Sequence, residues 1–94
     1  MRLRDEQRLT CSPDVLSRVL DGEAVLLDLE SGEYFGLNDV GTRFWELASA
    51  GKTYGETRDV LLGEFDVPRD TLENDLEQLV AALLRRKLVT VAGE

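Results

Sequence analysis

The chain has 94 residues and a formal net charge of -8, with a sequence pI near 4.5. Its length supports one domain, residues 1–94, that is large enough for a single core without a metal or disulfide. Its acidity argues against nucleic-acid and membrane-surface partners, because phosphate backbones and anionic lipids carry the same sign of charge.

The first residues of the chain predict a loose segment followed by a hairpin. Residues 1–12 are polar and without clear periodicity, so we expect loose order there. Val15–Leu20 has the β-branched and polar residues of a half-buried strand. Asp21-Gly22 then supplies the pair with positive φ that a two-residue hairpin needs.

Two further strands complete a predicted β-meander over residues 15–37. Residues 23–29 are apolar on both faces except at the ends, which is typical of a central strand covered on both sides. A turn at Ser31-Gly32 leads into a third strand, "EYFGL", over residues 33–37. In that strand Phe35 and Leu37 lie on one face, opposite to Tyr34 and Gly36.

Residues 38–86 predict three helices, and residues 87–94 form a C-terminal tail with a short extended segment. Asn38 or Asp39 caps the first helix, which ends at Gly51. Residues 53–56, "TYGE", match the capping box of the second helix, and Pro68 precedes the third. The order is a sheet followed by a helical part, an α+β fold that resembles a winged helix-turn-helix.

The third helix carries a wide apolar stripe, formed by Leu72, Leu76, Leu79, Val80, Leu83 and Leu84. At about 100° per residue the stripe covers roughly 140° of arc, whereas packing on one partner needs about 100°. Two interpretations remain open: the helix is wedged between the sheet and the other helices, or part of the stripe faces a groove.

Catalytic and cofactor chemistry has no candidate residues in this sequence. The chain lacks histidine and has one cysteine, Cys11, which excludes common zinc sites and leaves a thiol nucleophile without its usual base. No phosphate loop or dinucleotide fingerprint is present. The carboxylates of the third helix are typical of a solvated face. We therefore predict a protein that is not an enzyme and that needs no metal or cofactor.

The cellular compartment of the protein is predicted from Cys11 and from the absence of targeting segments. A lone cysteine cannot form an intrachain disulfide, which favours a reducing cytoplasm. The N-terminus has no apolar stretch typical of a secretory signal, and no apolar run reaches membrane-spanning length.

The third strand is predicted to be an edge that lacks the usual protection. Edge strands are commonly blunted by lysine, proline or a bulge, because their open N–H and C=O groups recruit other chains. "EYFGL" contains no such residue, and Gly36 permits close approach of another backbone. A peptide added as a further strand, residues 1–12, or a second copy of the chain can each occupy this edge.

The residues over most of the chain resemble a known family. "GEAVLLDLESGEYFGLNDVGTRFWEL" and "EFDVPRDTLENDLEQLVAALLRRKLV" are similar to the PqqD-like family, also called RiPP recognition elements. The most specific parts are "YFGLN" with Gly41 and Trp45, and Asp75 followed by Leu79 and Leu83.

The resemblance implies a winged-helix-like domain that captures the leader segment of a ribosomally made precursor peptide. In this family the leader pairs antiparallel with the third strand and lies against the third helix. The residues implied at the edge are Tyr34, Phe35, Gly36 and Leu37. Those implied in the groove are Asp75, Leu76, Leu79, Val80 and Leu83.

Within the family, a free-standing domain of this length is similar to the leader-binding proteins of lasso-peptide biosynthesis. These deliver the precursor to a separate leader peptidase and then to a macrocyclase. We expect this chain to be a monomer or weak dimer. The alternative is a peptide chaperone for a radical-SAM maturase of the pyrroloquinoline-quinone type. A winged-helix DNA-binding regulator is disfavoured, because the third helix has Asp70, Glu73, Asp75 and Glu77 where a recognition helix carries cations.

Overall fold

The computed structural model describes residues 3–92. The elements within this range are β1 (Leu9–Cys11), β2 (Val15–Leu20), β3 (Glu23–Asp28), β4 (Tyr34–Gly36), α1 (Asp39–Ser49), α2 (Tyr54–Glu64), α3 (Arg69–Arg85) and β5 (Val89–Val91). The predicted α+β fold, with a three-stranded antiparallel sheet followed by three helices, is confirmed. The third strand of the predicted meander is β4.

The main sheet has the order β2-β3-β4, and both pairs are antiparallel. The β2–β3 turn is the predicted two-residue hairpin, since Asp21 and Gly22 have φ of 53° and 81° and Leu20 pairs with Glu23. Gly32, in the next turn, has φ of 76°, a conformation that suits glycine. The sheet is therefore a meander in which β4 is one of two outer strands.

The expectation of loose order over residues 1–12 is wrong for residues that the structure describes. β1 pairs antiparallel with β5, and Leu9 stands opposite Val91. Leu3 and Leu9 are buried in the core. The backbone N–H of Tyr54 donates to the Gln7 carbonyl oxygen at 2.8 Å. This segment is held in place by contacts with residues far away in the sequence. A local pattern of polar residues does not reveal such contacts.

Helix boundaries follow the predicted capping residues. The Asn38 side chain accepts a hydrogen bond from the Gly41 N–H at 2.8 Å at the start of α1. Thr53 and Glu56 form a reciprocal capping box at the start of α2. Pro68 precedes α3, where its missing N–H costs no helical hydrogen bond.

The core lies between the helices and one face of the main sheet. Ala24 and Leu26 of β3 point into it and are fully buried, whereas the alternate residues Val25 and Leu27 are only half-buried. The expectation that β3 is covered on both faces is therefore wrong: the helices all pack on one face. Among residues 3–92 no helix is long and apolar enough to cross a membrane.

Candidate peptide-binding site

The outer edge of β4 is open in the part of the chain that the structure describes. β4 pairs with β3 on one side only, and the second sheet, β1–β5, is separate. Neither the described part of residues 1–12 nor the C-terminal strand pairs with β4. The sequence left three possible occupants of the β4 edge, and residues 3–12 are now excluded as one of them.

Hydrogen bonds at both ends of the β3–β4 ladder indicate which main-chain groups point to this edge. The Asp28 N–H donates to the Glu33 carbonyl oxygen at 2.9 Å, and the Leu37 N–H donates to the Ala24 carbonyl oxygen at 2.8 Å. Residues 33 and 37 therefore direct their main-chain groups towards β3.

Alternation along the ladder places the intervening residues. Hydrogen-bonded and non-bonded pairs alternate in an antiparallel ladder, so Phe35, which stands opposite Leu26, also faces β3. The main chains of Tyr34 and Gly36 consequently face the open edge. Each offers one N–H donor and one C=O acceptor to an added strand.

An apolar groove lies beside this edge, between β4, the start of α1 and α3. Its volume is about 280 Å³. The lining residues are Phe35, Gly36, Leu37, Asn38, Val40, Gly41, Val67, Leu72, Asp75, Leu76 and Leu79. An added strand at β4 would project alternate side chains into this groove, because strand side chains alternate between faces.

Six of the nine residues that the family resemblance implies lie together in this groove: Phe35, Gly36, Leu37, Asp75, Leu76 and Leu79. Tyr34 contributes its main chain to the edge, but its side chain points to the opposite face of the sheet. Val80 and Leu83 lie elsewhere: they are 1% and 0% exposed and belong to the core.

The wide stripe of α3 thus serves two purposes. Leu72 and Leu76 form the buried floor of the groove, and Asp75 and Leu79 extend along its flank. Asp75 is exposed and is the only charged residue among those that line the groove. The residues on the other side of the stripe hold α3 in the core.

Sequence reasoning missed the contribution of α1 and of the segment before α3. Asn38, Val40, Gly41 and Val67 line the groove but were not implied as site residues. A Cβ on Gly41 would lie 3.3 Å from both the Asn38 Oδ1 and the Leu37 Cβ, so the first turn of α1 packs closely on the end of β4. The motif "GLN" followed by glycine was the signal for this close approach.

A smaller recess of about 140 Å³ continues from the groove past Phe35, whose ring lines both. The Arg86 guanidinium carbon lies 5.1 Å from the Phe35 ring centroid, a cation–π geometry, and Arg86 Nη1 lies 3.7 Å from Glu33 Oε2. This end of the site therefore offers both signs of charge, whereas Asp75 is the one charged residue that lines the groove itself.

The chemistry of these residues suits binding. The groove presents aliphatic and aromatic side chains, the Asn38 amide and the Asp75 carboxylate, beside open main-chain groups. Within residues 3–92 no three His, Cys, Asp or Glu side chains are grouped to hold a metal ion. Recognition of an extended peptide needs only this combination of strand edge and pockets.

Comparison with known families agrees with this geometry. Residues 23–89 match the family model for coenzyme PQQ synthesis protein D, PqqD. The chain belongs to the PqqD family. The matched region contains β3, β4 and all three helices, and thus the whole of the groove. No curated protein matches the sequence.

Two solved structures resemble this PqqD-family chain over most of its length. TbiB1, in complex with the TbiA(beta) leader peptide, is 40% identical, with a TM-score of 0.77 over 89% of this chain and 95% of that one. A lasso peptide synthetase B1 complexed with the leader peptide is 28% identical, with a TM-score of 0.78 over 88% and 98%. Both relatives hold a leader peptide.

Proposed function

We propose that this chain binds the leader segment of a ribosomally synthesised precursor peptide by strand addition to β4, against α3. It delivers the bound precursor to a leader peptidase and a macrocyclase in lasso-peptide biosynthesis. The chain itself contributes recognition and no catalysis. Its single cysteine, Cys11, fits a reducing cytoplasm as the place of action.

The observation that carries this proposal is the pairing of an open edge with an apolar groove. Tyr34 and Gly36 direct main-chain groups to the edge, and these bind any extended peptide irrespective of its sequence. The groove floor, formed by Leu72 and Leu76, supplies selectivity, because only apolar leader side chains are stabilised there.

The solved relatives favour the lasso-peptide pathway over the quinone-cofactor pathway. A PqqD match alone is compatible with either. TbiB1, 40% identical, is solved with a leader peptide, and the second relative is a lasso peptide synthetase B1 complexed with the leader peptide, which supports a leader-binding role of the lasso type.

Titration of a fluorescently labelled leader peptide tests the proposal directly. The probe is the N-terminal half of the precursor encoded beside this chain, and the readout is its anisotropy. We expect saturable binding with a Kd of about 1 μM or tighter, equivalent to about -8 kcal/mol. A label on the peptide is preferable to Trp45 emission, because Trp45 is buried and is not among the groove residues. Absence of binding would overturn the proposal.

Substitution at Gly36 tests the mode of binding. Gly36→Pro removes an N–H that faces the open edge and leaves the β3 ladder intact, since proline is tolerated on edge strands with its nitrogen outward. We expect loss of saturable binding with little loss of stability. Gly36→Ala is the matched control, because a Cβ there meets no heavy atom within 4 Å. Unchanged affinity of the proline variant would contradict strand addition.

A further inference from the structure

The second face of the main sheet is an apolar surface that none of the helices within residues 3–92 covers. The strand register places on this face Leu16, Arg18, Leu20, Val25, Leu27 and Tyr34, with Glu23 at its end, and we call it the outer sheet face. Leu16, Leu20 and Tyr34 are 56%, 58% and 68% exposed. The depression that these side chains surround has a volume of about 390 Å³, larger than the leader groove.

Such a face needs an explanation. An antiparallel sheet with one face in water ordinarily presents polar side chains there. Here five of the seven side chains that the register places on the outer sheet face are apolar, the exceptions being Arg18 and Glu23, and the five apolar side chains line one depression. Contiguous exposed apolar patches on small soluble proteins mark interaction sites.

The outer sheet face is continuous with the proposed leader site. Tyr34 offers its main chain to the edge of β4 and its side chain to the outer sheet face. A leader strand added beside β4 would become the fourth strand of the same sheet. Its alternate side chains would then extend the outer sheet face, so a protein bound there would contact the chain and its leader together.

Charge around the patch excludes a second copy as the favoured occupant. Asp21 and Glu23 border it at the β2–β3 turn, and Glu30 borders it at the β3–β4 turn; all three are exposed. Glu33 points to the helix side of the sheet, where it meets Arg86. Stacking two copies by a two-fold axis brings acidic turns against acidic turns in either direction, between chains of net charge -8 each. A partner with an apolar patch bordered by lysine and arginine is complementary instead.

We infer that the outer sheet face docks the peptidase that removes the leader, through an apolar, basic-rimmed patch on that enzyme. This rests on the proposed function, because the enzyme acts while the chain still holds the leader. Since the added leader strand widens the docking surface, the loaded chain binds the peptidase more tightly than the empty chain does.

The test uses the full chain, the peptidase encoded in the same gene cluster, and the labelled leader. The variant Leu16→Thr/Leu20→Thr removes two exposed apolar side chains from the outer sheet face and replaces them with β-branched threonine, which suits a strand. Val19→Thr is the matched control, because Val19 is 57% exposed on the same strand but points to the other face. Leader affinity and peptidase affinity are measured separately for each protein.

We expect the double variant to keep leader affinity within twofold, to weaken peptidase binding at least tenfold, and to slow leader cleavage correspondingly. Val19→Thr should change neither affinity. Equal peptidase binding by the wild type and the double variant would overturn the inference, as would absence of peptidase binding by the wild type.

Two other outcomes are distinguishable. A doubled mass of the wild type in sedimentation, lost in Leu16→Thr/Leu20→Thr, would assign the outer sheet face to self-association and overturn peptidase docking. Absence of leader binding by the wild type would instead remove the proposed function itself, whatever the peptidase does.

Discussion

Leu79 and Val80 are neighbours in α3 with different surroundings. Leu79 is half-buried and lines the groove, whereas Val80 is 1% exposed in the core. We expect Leu79→Ala to weaken leader binding about tenfold, or about 1.4 kcal/mol, with a smaller effect on stability. Val80→Ala should lower the free energy of unfolding by about 1–3 kcal/mol.

Leader anisotropy and urea unfolding of both variants separate the two effects. Val80→Ala, measured below its unfolding transition, should bind the leader nearly as the wild type does. Loss of leader affinity in Val80→Ala but not in Leu79→Ala would contradict the assignment of the groove flank to Asp75 and Leu79.

The same two residues show the limit of sequence reasoning at this scale. Both residues belong to one apolar stripe. The helical period of the sequence shows that the stripe is wide, but it does not show which flank of the stripe packs in the core. That depends on how α3 lies against the sheet. Tyr34 is a similar case: its strand was predicted, but the use of its side chain on the outer sheet face depends on which face the helices cover.

At the scale of elements, α2 contains two glycines with opposite roles. A Cβ on Gly55 would lie 2.9 Å from the Asp5 Cβ, and the Gly55 N–H donates to the Asp5 carbonyl oxygen at 3.0 Å. Gly63 faces open space. We expect Gly55→Ala to destabilise the fold by about 1–3 kcal/mol and Gly63→Ala to stabilise it by about 0.5–1 kcal/mol.

Thermal or urea unfolding of the two variants checks this contrast on a single helix. Helix propensity alone predicts that both alanines stabilise. A stabilised Gly55→Ala variant would therefore indicate that the N-terminal segment does not pack on α2 as the structure has it.

An ion pair joins α1 to α2 and makes their contact dependent on pH. Arg43 donates two hydrogen bonds to the Glu64 carboxylate, at 2.9 and 3.0 Å. This arginine lowers the pKa of Glu64 below its ordinary value. When the pKa of a carboxyl group is lower in the folded than in the unfolded state, the group stabilises the fold at pH values above its unfolded-state pKa. That stability is lost as the pH falls through the folded-state pKa.

Comparison of Glu64→Gln with the wild type tests this pH dependence. We expect a lower urea midpoint for the variant at about pH 7, and a difference between the two midpoints that shrinks as the pH falls below the ordinary glutamate pKa towards the lowered pKa of Glu64. The difference should be small, because the pair is at the surface. A difference that grows as the pH falls would contradict the sign.

Some elements of the fold are determined by neighbouring residues, and others by residues that are far apart in the sequence. The hairpin at Asp21-Gly22 and the caps at Asn38 and Thr53 depend on neighbouring residues, and the sequence predicts them. The β1–β5 sheet joins Leu9 to Val91, at opposite ends of the chain. Each of its strands has three residues, too few for a periodic pattern, so the pairing was missed.

At the scale of the whole molecule, net charge acts on the rate of encounter. A chain of charge -8 attracts the cationic groups of an approaching leader. Salt screens this attraction, with a Debye length of about 8 Å at physiological ionic strength. Asp75 is the one charge among the groove-lining residues, so we expect it to act on the leader at the closest range. Asp70, exposed on the same helix, does not line the groove.

Stopped-flow association of the labelled leader with the wild type, Asp75→Asn and Asp70→Asn measures this steering. We expect the wild-type association rate constant to fall as salt rises, and to fall less when the leader's lysines and arginines are replaced by glutamine. Asp75→Asn should slow association several-fold at low salt and match the wild type at high salt, whereas Asp70→Asn should have a smaller effect. A wild-type rate constant independent of salt would mean that diffusion and apolar docking alone govern capture, with the acidity of the chain serving its solubility.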